Sequence, residues 1–282
     1  MRQLVQIERA CGFLDAVDIS PEWSQRVRDE CRVDDALSSV QIEGASLTRH
    51  RAAQLAESGA EAASNDEQEF LNYYAAFNAI DGIRGDRSFA FSARDLHNLH
   101  GMIVRDTRGH RHAGRFRDGP VVIGDRDEGV TTVHHEPPEA EAVPALVDEL
   151  LAWLELAKVK RAAPRYGRDD TWVHPVIVAG VAQHRLVWIH PFFDGNGRTA
   201  RMFTTALLYQ RRYDFKYLFD LSTWYNRDRE KYYDKLRSAD RTGDYTEWLV
   251  YFAGGLSNQL ANAQRRAREV GRGLVTGEGP AD

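Results

Sequence analysis

The sequence predicts an all-α helical bundle interrupted once by a β-hairpin. Apolar residues recur at helical spacing behind residues that cap helices. One stretch alone, residues 114–138 (GRFRDGPVVIGDRDEGVTTVHHEPP), is punctuated by Gly, Pro and Asp around two short β-prone runs.

In chain order, Ser20-Pro21 starts a helix, cap then proline at the first turn, leading into Trp23 and Val27. A short helix over Asp35–Glu43 stops at Gly44, the residue type expected just past a C-terminus. Thr48 caps a further helix with Ala52 and Leu55 on one side. Over Ser64–Ile80 the apolar positions Phe70, Tyr73, Tyr74, Phe77 and Ile80 keep the helical period, and Ser92 opens a helix carrying Leu96, Leu99 and Ile103. The hairpin follows, with strands expected at Val121–Ile123 and Val130–Val133. Ala142–Ala157 resumes helix, and Lys158–Asp170 reads as a polar connection. Val173–Ile189 is mostly apolar with Pro175 near its start, the mark of a buried central helix. Helices are expected at Met202–Gln210, Arg227–Ser238 and Tyr245–Arg268, before a frayed tail. No internal repeat or linker divides the chain.

Composition excludes several classes. With 282 residues, 43% of them hydrophobic, the chain can build a large core. No run approaches the roughly 18 uncharged apolar residues of a membrane span. The opening MRQLVQIERACGF carries Glu8 and Arg9 and no apolar signal core, which argues against secretion. Cys11 and Cys31 make no disulfide framework, so a cytoplasmic setting is expected. A net charge of −5 makes nucleic acid an unlikely partner by bulk electrostatics.

The chemistry is concentrated in HPFFDGNGRTAR, residues 190–201. A buried helix ends in His190, and a glycine-bearing loop then opens a second helix. Gly195 and Gly197, with Asn196 between them, let backbone N–H groups approach an anion at a positive helix end. Arg198 and Arg201, three apart, project from one face of the first turn, and two arginines there suit a triphosphate or pyrophosphate. Asp194 stands where a lone carboxylate would hold a hydrated Mg²⁺ beside phosphates. His190 is the candidate base. Together these residues predict attack on a nucleotide phosphate by a hydroxyl that His190 deprotonates. The other histidines read as structural. His184 lies six residues before His190, the wrong spacing for a helical metal pair, and His110, His112, His134 and His135 lack an accompanying ligand set.

The stretch HPFFDGNGRTAR resembles the signature of the Fic (Fic/Doc) family, HPFx(D/E)GNGRxxR, at every fixed position. The lead-in HRLVWIHPF, the hairpin GRFRDGPVVIG with its following EPP, Leu221-Ser222, YYDKL at 232–236 and GDYTEW at 243–248 extend the resemblance over about residues 36–255. It implies a Fic-fold helical bundle whose hairpin is a flap, and transfer of AMP from ATP to a Ser, Thr or Tyr hydroxyl of a target protein. His190 is then the base and Asp194 the Mg²⁺ ligand; Gly195, Asn196 and Gly197 form the anion nest. Arg198 meets the outer phosphates and Arg201 the γ-phosphate. A kinase-like branch of the family has lysine at the position of Gly197, so glycine there favours AMP transfer. Through the flap residues Val121, Val122 and Ile123 the target segment would pair in β-fashion.

Ser39-Val-Gln-Ile-Glu43-Gly44 is similar to the family's inhibitory motif, S/T-x-x-x-E-G/N. The resemblance implies a helix at about 35–44 that delivers Glu43 to Arg201 where the γ-phosphate should sit, with Ser39 on the same face. The chain then divides into an N-terminal region (1–60), a catalytic core (61–268) and a tail (269–282). In some relatives the same glutamate aligns a water that removes AMP from a modified protein, so the reverse reaction is an alternative, as is a non-catalytic nucleotide-binding regulator. Tyr232 and Tyr233 either line the adenine pocket or fill the core. Asp240 stands where relatives often carry Asn. Many relatives append a winged-helix module after the core, for which the remaining residues are too few, so DNA is not an expected partner. A homo-oligomer stays open.

Overall fold

Four side-chain caps set the N-terminal half. Ser20 Oγ accepts from Trp23 N and starts α2 (Pro21–Ile42); Thr48 Oγ1 accepts from Arg51 N and starts α3 (Arg49–Ser58). Ser64 Oγ accepts from Glu67 N ahead of α4 (Asn65–Asp81). Ser92 donates through both N and Oγ to Asp95 Oδ2 at the head of α5 (Ala93–Ile103). The computed structural model describes residues 1–86, 88–127, 130–157 and 173–271, and with α1 (Arg2–Ala16) it contains eleven α-helices among them. The others are α6 (Val143–Leu156), α7 (Pro175–Ile189), α8 (Asn196–Gln210), α9 (Leu221–Asn226), α10 (Arg229–Thr242) and α11 (Thr246–Gly271). The all-α class with one hairpin stands as predicted. The connection expected at Lys158–Asp170 and the tail beyond Gly271 lie outside the described residues.

Three corrections follow. The helix expected at about 35–44 is the C-terminal end of one continuous 22-residue helix, α2. The apolar period fails at Arg28 and Arg32 because both arginines are themselves buried or half-buried. Each reaches Asp81 on α4, Arg32 at 2.6 Å, and the Arg28 guanidinium lies 4.0 Å from the Tyr217 ring centre. Strand β1 runs Ile123–Asp127 and pairs antiparallel with β2, Val130–His135, so Val121 and Val122 precede the ladder and only Ile123 joins it, opposite His135. Sequence reading also assigned nothing to α1 or α9. Buried Ile7, Ala10 and Leu14 give α1 a one-sided apolar stripe against α11, and α9 is a six-residue helix capped by Asp220.

Helices α7 and α8 pack along each other at the centre; α4 and α5 pack on α8, α6 and α11 pack on α7, and α9 and α10 pack on α11. Helix α2 touches α3, α4, α8 and α9, and so crosses from the N-terminal region into the centre. The hinge between α7 and α8 is the segment 190–195, the site predicted from sequence.

Candidate active site

His190 closes α7 in the left-handed conformation (φ 50°, ψ 59°), a position usually given to glycine. Its N–H donates to Leu186 O at 3.0 Å, and its Nδ1 lies 3.3 Å from Val187 O. A carbonyl can only accept, so Nδ1 carries the proton and Nε2 presents a lone pair. Burial pushes the imidazole pKa down to about 4, opposed by the Val187 hydrogen bond and the charge of Glu43 and aided by His135 and Arg117. The ring is therefore neutral near pH 7 and able to accept a proton at Nε2.

The following loop is held from three directions. Asn196 accepts from Phe192 N at 2.9 Å and donates to Phe192 O at 2.8 Å, so its buried side chain closes the turn rather than facing an anion. The buried His100 ring on α5 stacks flat on Phe192, centroids 3.8 Å apart. His100 also donates from Nε2 to Asp194 O at 3.0 Å and accepts at Nδ1 from Gly114 N at 3.0 Å. Burial takes its pKa down to about 4 despite the Asp194 bond, so this neutral tautomer persists. Arg117, also buried, donates from Nε to His190 O at 2.8 Å, and its own N–H donates to Pro191 O.

Gly195 (φ 73°) caps α8, and the first intrahelical bond runs from Thr199 N to Gly195 O. The N–H groups of the first turn before Thr199 are thus left for an outside acceptor. Arg198 is buried and ion-paired through Nη1 to Glu69 of α4 at 2.9 Å and through Nη2 to Asp194 at 3.3 Å, while its Nε finds no partner among the described residues. Asp194 is half-exposed; its Oδ1 also accepts from Gly195 N at 2.7 Å. Gly109 makes room for Oδ2, since a Cβ at that position would come within 2.7 Å of it. Among the described residues no three His, Cys, Asp or Glu side chains converge as a metal cage. One outward carboxylate suits a cation held otherwise by substrate oxygens and water, the usual arrangement for Mg²⁺.

Arg201 is enclosed by α2. Nε donates to Ser39 Oγ at 2.9 Å, and Nη2 donates to Ser39 O at 2.9 Å and to Glu43 Oε1 at 2.7 Å. Burial works against the guanidinium charge, but Glu43 together with Tyr232, Tyr73 and Tyr233 outweighs it and leaves the pKa above the ordinary arginine value. The same carboxylate lies directly over Gly197, where a Cβ would run into Glu43 Oε1. Ser39 and Glu43, 162 and 158 residues away from Arg201 in sequence, thus meet it in space.

The two tyrosines separate. Tyr232 is fully buried, stacks on Tyr225 with centroids 4.4 Å apart, and accepts from Gln183 at 3.3 Å, so it belongs to the core behind Arg201. Tyr233 is more exposed, its ring centre 5.1 Å from that of Tyr232, and burial and the charge of Glu43 raise its pKa. Asp240 meets His184 at 3.0 Å, and His135 donates or accepts at Trp188 O across 2.9 Å; since a carbonyl accepts, His135 Nε2 is the donor. His112 lies against Phe193, and His110 accepts from Asp106 N. Sequence reading missed His100, Glu69 and Arg117. Only His100 carried a signal, a polar residue on the apolar stripe of Leu96, Leu99 and Ile103.

A neutral imidazole with a free nitrogen, an outward carboxylate and a glycine-bearing helix start flanked by two arginines thus stand together where α7 meets α8 in a helical protein. Residues 90–208 match the Fic/DOC family. It is 28% identical over 258 residues to the protein adenylyltransferase Fic of Culex quinquefasciatus, covering 89% of this chain and 45% of that one. To the protein of the same description from Nematostella vectensis it is 26% identical over 191 residues, 67% of this chain and 38% of that one. The chain thus spans less than half the length of these relatives. A crystal structure of a Fic family protein from Desulfovibrio desulfuricans superposes with a TM-score of 0.75 at 26% identity, over 98% of this chain and 75% of that one.

Proposed function

We propose that this chain transfers AMP from ATP to a hydroxyl group of a protein target, and that Glu43 holds the reaction back. The observation that carries this reading is the Glu43 carboxylate on Arg201 above Gly197: an anion from the chain itself occupies a place built for an anion. Displaced from it, Arg201 and the first turn of α8 take the outer phosphates, with Arg198 beside them. His190 Nε2 accepts the proton of a Ser, Thr or Tyr hydroxyl as that oxygen bonds to the α-phosphorus. The bond from the α-phosphorus to the bridging oxygen breaks, and pyrophosphate leaves. Asp194 would hold Mg²⁺, which when bound supplies charge neutralisation along the phosphates. Tyr233 borders the opening, and the hairpin offers its edge to the target segment. Among the described residues no helix is long and apolar enough to cross a membrane. Cys11 and Cys31 are both free thiols, which fits work in the reducing cytoplasm.

The test uses ATP labelled at the α-phosphate, with Mg²⁺, and the wild-type chain, Glu43→Gly and His190→Ala, in a bacterial lysate and on the enzyme itself. Label on protein should rise at least about tenfold in Glu43→Gly, equivalent to about 1.4 kcal/mol, and vanish in His190→Ala. Label from the γ-phosphate alone would make the chain a kinase. Absence of both labels, with AMP released from a pre-modified protein, would turn the reading to AMP removal.

A further inference from the structure

The only buried cationic side chain at the site with no carboxylate partner among the described residues is Arg117, and every one of its hydrogen bonds goes to a backbone carbonyl. Nε donates to His190 O at 2.8 Å, Nη1 to Gly119 O at 3.1 Å, and Nη2 to Pro138 O and, at 3.4 Å, to Ile189 O. Its side chain is enclosed, at 3% exposure, and burial lowers its pKa, so the charge is kept at a cost that these carbonyls must offset. The four acceptors come from two places. Ile189 and His190 are the last turn of α7, whose carbonyls have no intrahelical partners. Gly119 and Pro138 are the two roots of the β1–β2 hairpin, one before its first strand and one after its second.

We infer that Arg117 is a positioning residue that fixes both roots of the hairpin to the backbone of His190, and so sets the distance between a docked target segment and the base. This rests on the adenylyl-transfer reading for its substrate, although the tie itself is independent of it. A planar guanidinium is the side chain suited to this task, because its donors leave in fixed, divergent directions and can reach four carbonyls at once. A lysine would offer one ammonium at the end of a flexible stem and could not bridge the two roots and the helix end together. Loss of the tie leaves His190 itself held, since its N–H remains on Leu186 O and its Nδ1 on Val187 O. The α8 end of the site, with Arg198 on Glu69 and Arg201 on Ser39, does not touch Arg117 either. The consequence is selective: the hairpin is displaced relative to the base while the nucleotide site stays intact. Among the described residues the other side-chain tie from the hairpin to α7 is His135 Nε2 on Trp188 O, at the second strand alone.

The experiment places Arg117→Ala and Arg117→Lys in the Glu43→Gly chain. Three quantities are read: transfer of α-phosphate label to protein, slow release of pyrophosphate with water as acceptor, and affinity for ATP by calorimetry. Amide hydrogen exchange over residues 119–138 and over α8 is followed in the same samples. A displacement of order 1 Å can cost about a hundredfold in rate, so transfer to protein should fall by about 30-fold or more in both variants. Water-acceptor release and ATP affinity should stay within about twofold of the parent chain. Exchange should quicken at 119–138 and not in α8. Full rescue by lysine, equal losses in both reactions, or unchanged exchange at 119–138 would overturn the inference. A parent chain that transfers no label would instead defeat the adenylyl-transfer reading, and the exchange result would still decide the tie.

Discussion

At the scale of single residues, two histidines share one property and use it differently. His190 and His100 are both driven by burial to a pKa of about 4. For His190 the result is an imidazole that stays neutral below the usual histidine pH, as the base we propose requires. Its acid limb belongs near 4, and transfer by Glu43→Gly should be flat from about pH 5.5 to 8, because the ring stays neutral throughout. The direction of the Glu43 effect is fixed as well. That carboxylate raises the His190 pKa, so removing it moves the limb further down. A rate profile that falls away below about pH 6.5 would contradict the buried tautomer. For His100 the neutral ring is a bracket, accepting from Gly114 N and donating to Asp194 O. His100→Phe keeps the stack on Phe192 and removes both bonds, leaving two partly buried backbone groups, Gly114 N and Asp194 O, unmatched. We expect a loss of about 1–3 kcal/mol in urea unfolding, and weaker ATP binding as Asp194 loosens.

These residues also show what a single sequence makes legible. The segment from His190 to Arg201 was readable because its chemistry is local: a base, a carboxylate, two glycines and two arginines fall within twelve residues. The meeting of Glu43 with Arg201 spans 158 residues, and no periodicity predicts it; it was reached through resemblance to a family motif. Arg117 was not reachable by either route. Its partners are main-chain carbonyls, which every residue possesses, so the contact leaves no trace in the identities around it.

At the scale of elements, the central pair α7 and α8 depends on close approach as much as on apolar content. Gly180 in α7 faces α11, where a Cβ would come within 2.8 Å of Leu249 and 3.0 Å of Phe252, and its carbonyl accepts from Trp248 Nε1 at 2.8 Å. Gly180→Ala should therefore force α11 outward and destabilise the chain by about 1–3 kcal/mol, read as a lower urea midpoint. Because Gly180 lies nearly three helical turns before His190, about 15 Å along α7, ATP affinity should change much less than stability. The misreading of α2 belongs at this scale too. Its middle turn presents arginines where a helical stripe should present leucines, and only the position of Asp81 on a different helix explains why they can be buried.

At the scale of the whole molecule, the segment that we propose holds the reaction back is part of the core. Helix α2 carries Ser39 and Glu43 to Arg201, yet it is also fastened along α9: Ser222 N donates to Asp35 Oδ1 at 2.8 Å, Ser38 and Thr223 share a hydrogen bond of 2.8 Å, and Asn226 donates to Gln41 at 2.7 Å. Release by departure of the helix would break all of these, whereas release by a swing of the Glu43 side chain would break one ion pair. The seam can be tested through its buried carboxyl pair. Asp220, at the head of α9, is raised well above the ordinary aspartate pKa by burial and by Asp35, which lies against it. The folded chain therefore keeps a proton that the unfolded chain gives up near pH 4. Between those two values the unfolded state binds fewer protons, so stability from this pair is greatest in acid and declines as pH rises, by up to about 1.4 kcal/mol per pH unit. In Asp220→Asn the amide oxygen can still accept from Thr223 N, and the amide N–H supplies Asp35 with a donor that never titrates. The melting temperature of Asp220→Asn relative to wild type should then climb steadily as pH is raised above about 5. Label transfer in wild type and Asp220→Asn, compared at one pH, separates the two modes of release. If Glu43 acts by a side-chain swing, a firmer α2–α9 seam leaves basal transfer unchanged; if the helix must leave, basal transfer falls with the gain in stability.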